Sequence, residues 1–321
     1  MTHLYITIDT EYEPGFTARN GPDSRHANFA RSIECATREG SVGVGFQLDM
    51  LDRHGLRGIF FVDPMPALLW GVAAIEDIVG PIVERGHDVQ LHLHTEWLAF
   101  ANGANPLPGR TGANLKDFTF EEQCTLIDYA ARTLRAAGAS RPVAFRAGNY
   151  GANDDTLRAL AVVGIPYDTS HSPGYAASAC AIGLGRENRR PVHRCGTTEV
   201  PIGCVGDLFD FRHAQLTALS SRELLAAIEH ARDNQVRDFT LVSHSFELLS
   251  RDRTRINRIL QRRFARLCEG IGGMSGVSTS TYALYPPNVF PSTSACPALP
   301  ASFRRTALRM AEQAVGNALY R

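Results

Sequence analysis

Seven short runs rich in β-branched and aromatic residues recur along the chain, with stretches of helical periodicity between them. The runs are residues 4–10 (LYITIDT), 57–63 (RGIFFVD), 88–94 (DVQLHLH), 142–146 (PVAFR), 165–170 (IPYDTS), 198–203 and 238–244 (DFTLVSH). Helical spacing covers 43–54, 67–85, 120–137, 153–163, 221–234 and 251–267. Such alternation predicts a parallel sheet wrapped by helices. Acid, His or Arg side chains stand at the tips of the first, third, fourth, fifth and seventh runs. In a closed sheet those tips meet at one rim, so the expected fold is a single α/β barrel of (β/α) type. At 321 residues, 44% hydrophobic, the chain can bury such a core. Its formal net charge of zero gives no global field to attract nucleic acid.

The third run carries the densest chemistry. In GHDVQLHLHTEW, residues 86–97, strand alternation would point His92, His94 and Glu96 to one face and Leu91, Leu93 and Thr95 to the other. Two imidazoles and a carboxylate at a strand end suit a zinc-like divalent ion. Asp9 and Glu11, two apart at the end of the first run, can face one site. Arg146 precedes the turn AGNYG and can bring its guanidinium onto a carboxylate. Asp168 ends the fifth run and His244 the seventh. Each also has a plainer reading as a helix cap, a structural ion pair or a hydrogen-bonded strand end. The long polar stretches 12–42 and 98–118 read as loops, the second a candidate substrate-contact loop.

The cysteines, 35, 124, 180, 195, 204, 268 and 296, are odd in number and without CxxC, as expected of scattered reduced thiols. No signal peptide and no membrane-spanning run is evident, which leads to a cytoplasmic expectation. Arg255, Arg258, Arg262 and Arg266 form a stripe expected to be a solvated outer face. Residues 286–300 are Pro- and Ser-rich and read as a linker. Residues 303–320 read as an amphipathic helix expected to dock on the barrel, with a dimer contact or a membrane surface as the other uses. The domain reading is therefore a barrel over 1–285, the linker, and a C-terminal helix over 301–321. Oligomeric state is left open.

In order and spacing, these motifs resemble those of the polysaccharide deacetylase family, the NodB homology domain of carbohydrate esterase family 4. ITIDTE resembles its first motif, in a D-x-E form, and GHDVQLH its metal motif. FRAGNYG resembles F-R-x-P-x-G, YDTS a fourth acidic motif, and LVSHS the L-x-L-H motif. The resemblance covers about residues 3–285 and implies a distorted seven-stranded barrel. It implies Asp9 as base, Arg146 ordering it, His244 as acid, Asp168 as a further acidic site residue, and Glu11 and His92 as metal ligands. Two departures stand out. The family's second metal His lies four residues after the first, where this chain has Glu96, so either His94 or Glu96 completes the set. The Pro of the third motif is replaced by Gly148. The implied activity is removal of acetyl from an N-acetylated sugar with a divalent ion, zinc first. The substrate expected is a nucleotide-linked or lipid-linked precursor of a surface polysaccharide. Hydrolysis of another C–N bond, such as a ureide or cyclic amide, or a non-catalytic sugar-binding role, are the alternatives.

Overall fold

The computed structural model describes the whole chain except residues 102, 104, 209, 292–295 and 321. Asn102 of the candidate contact loop and part of the 286–300 linker thus lie outside the described residues. The sheet strands are β1 (Thr2–Thr10), β2 (Gly58–Val62), β3 (Asp88–Leu93), β4 (Ala144–Ala147), β5 (Tyr167–Asp168), β6 (Thr197–Glu199), β7 (Asp238–His244) and β8 (Val277–Thr279). Their order is β7-β1-β2-β3-β4-β5-β6, all parallel, with antiparallel Val192–Arg194 at the far edge and β8 on the first residues of β1. The helices that matter here are α1 (Val44–Arg53), α2 (Ala73–Glu84), α3 (Phe120–Ala136), α4 (Asp154–Val163), α5 (Ser221–Asp233), α6 (Arg258–Gly272) and α7 (Phe303–Leu319).

The curled sheet is a (β/α) barrel whose seam is closed by single contacts. Gly203 N–H donates to the Thr240 carbonyl at 2.9 Å, and Gln215 bridges Val242. Alternation sorts the side chains. Leu4, Ile6 and Ile8 of β1 join the large core under the helices. Tyr5, Ile59, Phe61, Ala144, Val200 and Tyr282 instead fill the barrel lumen. Tyr5 and Tyr282 stack there with centroids 4.6 Å apart. This aromatic plug forms the floor beneath the polar tips.

Several boundaries differ from expectation for local reasons. The stretch 12–42 contains helices Pro14–Asn20 and Arg25–Ser32 rather than a loop. The helix expected from 251 starts at Arg258, because the Asn257 side chain accepts from the N–H groups of Ile259 and Leu260 and so caps it there. Strand β3 stops at Leu93, and Thr95–Phe100 forms a 3₁₀ turn. Thr119 and Asn153 cap α3 and α4, each with a reciprocal capping box. All seven cysteines are free, and no described helix is long and apolar enough to cross a membrane.

Candidate active site

Register brings the tip residues together. Asp9 and His244 are Cα partners across β1 and β7, and His92 and Arg146 are partners across β3 and β4. On the inner face of the barrel each pair lies side by side.

Arg146 is fully buried and binds three groups at once. It donates to Asp9 Oδ1 at 2.5 Å, to Thr7 Oγ1 at 2.9 Å and to the Thr169 carbonyl at 3.2 Å. Its guanidinium lies 4.5 Å from the Phe61 ring centroid, on top of the aromatic floor. A buried Arg with this many partners holds the Asp9 carboxylate in one place.

Glu11 follows directly on β1 and meets both imidazoles. His92 Nε2 lies 3.0 Å and His94 Nε2 2.7 Å from Glu11 Oε2. The three groups offer ligand atoms all within 4.8 Å of one another and could hold a metal ion. The donor chemistry fits a cation. The Arg146 carbonyl, 2.7 Å from His92 Nδ1, can only accept, so Nδ1 carries a hydrogen. Nε2 then turns toward a carboxylate, an arrangement that needs a second proton or a cation between them. Burial opposes charge on both Glu11 and His94. Their mutual attraction nevertheless holds Glu11 well below the carboxylate range and His94 well above the imidazole range.

Glu96 is not one of the three converging groups. The 3₁₀ turn ends the strand alternation that would have aimed it inward, and its carboxylate lies behind His94, 3.2 Å from Nδ1. Asn149 Nδ2 donates to the same carboxylate at 3.1 Å. Asp63 also backs His94, its Oδ1 3.4 Å from the His94 amide. Burial pushes Asp63 up to about 7.

His244 Nε2 stands 3.8 Å from Asp9 Oδ2. Its Nδ1 is 2.8 Å from Glu247 Oε1. Burial disfavours the imidazolium, but the Glu247 hydrogen bond and the Glu247 and Asp9 charges outweigh it and push His244 up to about 9. Gln215 donates to Glu247, and its Oε1 is 2.6 Å from His213 Nε2. No short spacing in the sequence links Gln215 or His213 to His244. Glu247 lies three residues beyond His244 at a strand end, and that spacing was the available signal.

Asp168 is absent from this cluster. On β5, Tyr167 packs against the lumen and Asp168 points the other way. There it accepts from Ser170 Oγ at 2.8 Å and Ser170 N–H at 3.0 Å, beside Glu199, its register partner on β6. Burial, and for Glu199 the neighbouring carboxyl, raise the pKa of both acids.

A cleft of about 540 Å³ lies over the site, with Asp9, Glu11, His92, His94 and His244 in its wall. Tyr150, Tyr175 and His213 line it too, the Tyr175 and His213 rings 4.9 Å apart.

Solved structures share this architecture. A protein of Mycobacterium smegmatis assigned to the polysaccharide deacetylases superposes with a TM-score of 0.55 at 17% identity, over 90% of this chain and 94% of that one. A 4-alpha-glucanotransferase of Thermococcus litoralis gives a TM-score of 0.53 at 12% identity, over 90% of this chain and 41% of that one. No family model and no curated protein sequence matches the chain. The fold is thus that of NodB-like polysaccharide deacetylases, and it also carries other carbohydrate chemistry.

Proposed function

We propose that this protein is a metal-dependent hydrolase that removes an acetyl group from an N-acetylated saccharide. The observation that carries the reading is one convergence. A three-donor cluster, an Arg-held carboxylate and a charged imidazole line a single cleft. Glu11, His92 and His94 would hold the ion, zinc being the first choice for two imidazoles and a carboxylate. When bound, it supplies a Lewis acid that makes water a better nucleophile and polarises the acetyl carbonyl.

The chain's own groups account for the proton traffic. Asp9, held in place by Arg146, accepts the proton of the attacking water. His244, protonated at neutral pH beside Glu247, gives its Nε2 proton to the leaving nitrogen as the C–N bond breaks. The products are acetate and a free amino sugar. Glycosyl transfer needs two carboxyl groups flanking one bond. Here Asp9 is tied to Arg146 and Glu11 to two imidazoles, which favours cleavage of an amide over cleavage of a glycosidic bond. A nucleotide-linked or lipid-linked precursor of a surface polysaccharide is the substrate we favour. The test is acetate release from a panel of such N-acetylated sugars, with metal-loaded and metal-stripped protein. Acetate appearing only with metal supports the reading. Turnover of a ureide or cyclic amide without acetate would replace it, and no turnover in a protein that takes up no ion would leave a binding role.

A further inference from the structure

The terminal helix α7 is docked inside out. The residues it turns to the barrel are polar. Arg309, 2% exposed, pairs with Asp207 at 3.1 Å and Glu223 at 3.3 Å. Glu312 pairs with buried Arg263 at 2.5 Å. The residues it turns away are apolar: Phe303, Leu308, Met310, Val315 and Leu319 are 75%, 58%, 60%, 51% and 54% exposed. Rolling the helix to bury them would strip Arg309 and Arg263 of their carboxylate partners, at a cost that buried charges do not tolerate. The apolar face is therefore held outward by the ion pairs beneath it.

We propose that this face docks the protein on an anionic membrane leaflet. Charge chooses between the occupants such a face could have. The one acidic residue of α7, Glu312, is taken up in the ion pair with Arg263. Arg304 is exposed at its first turn. At its other end Arg251 and Arg255 are exposed, tied to the helix through the Tyr320 carbonyl at 3.1 Å and the Leu319 carbonyl at 3.0 Å. A second copy laid on this face would set cation against cation, whether parallel or antiparallel. An anionic leaflet accepts the apolar stripe and both basic ends together. Beneath the helix lies a second cavity of about 490 Å³, walled in part by Leu249, Leu260 and Tyr320. It shares Thr217 and Gln313 with the catalytic cleft, which suits a saccharide carried on a lipid. The docking itself does not depend on the catalytic reading.

The test is sedimentation of the full chain with vesicles of phosphatidylglycerol and phosphatidylcholine, against phosphatidylcholine alone. Binding to the anionic vesicles, released by salt, is expected. The pair Leu308→Glu and Val315→Glu should cut it by about tenfold or more. Leu308→Gln with Val315→Gln repeats the comparison should the acidic pair fail to fold. Absence of vesicle binding, binding that neither pair weakens, or a dimer that either pair dissolves would each overturn the proposal. Acetate release from a soluble substrate is followed in parallel. Its absence while vesicle binding persists would count against the catalytic reading alone.

Discussion

The ring of His94 lies so close over Gly148 that a Cβ on Gly148 would come within 2.7 Å of it. The two residues mark the two departures from the family's motif pattern, and the contact makes them one. A histidine at 94 needs the space that a proline ring at 148 would fill. Gly148 has no positive φ, so an alanine there meets no backbone strain, only the imidazole.

Gly148→Ala is therefore expected to displace His94 and lower metal affinity by about 10–100-fold, the usual effect of disturbing a ligand's support. The metal-free protein should also melt lower, because displacing His94 breaks its buried pairing with Glu11 and Glu96. Metal titration by calorimetry beside thermal unfolding reads both, and unchanged affinity would count against His94 as a ligand.

Asp9→Asn should leave metal uptake intact and lower turnover by about 10²–10⁴-fold. It also leaves buried Arg146 without its counter-charge, a loss on the order of 3 kcal/mol for a broken buried pair. Metal content, acetate release and denaturant unfolding test this together. Full turnover would remove Asp9 from the role of base.

The pH dependence follows from His244. Its pKa in the fold, about 9, lies above the ordinary imidazole value of 6.5, so the charged form is favoured by folding. That stabilisation is fully present below about 6.5 and is lost as pH rises through about 9. Activity that needs the imidazolium should fall over the same alkaline range. Glu247→Gln should move that limb down by about 1–2 pH units. A pH–rate profile reads the shift directly, and an unmoved limb would assign it to another group.

Asp168→Asn should change turnover less than about threefold, because its side chain faces away from the lumen. Both Asp168 and Glu199 have raised pKa values, so this pair destabilises the fold increasingly as pH rises. The asparagine variant should be as stable as the parent at pH 7, or more so. Thermal melts across pH and acetate assays check both halves.

What the sequence determined by itself was everything that depends on short spacing. The period of two along a strand put Asp9, His92, His94, Arg146 and His244 on inner faces and at tips, because pleating is local. The alternation of strands with helices predicted the closed parallel sheet. Tertiary structure alone decided the rest. Glu96 lies outside the converging cluster because the chain turned into a 3₁₀ helix after Leu93. Asp168 went outward because Tyr167 took the lumen. His244 acquired Glu247 and Gln215, and α7 was turned inside out by Asp207, Glu223 and Arg263. Most of these partners lie far apart in the chain. Their pairing energy exists only once the chain is closed, so it leaves no periodicity to read.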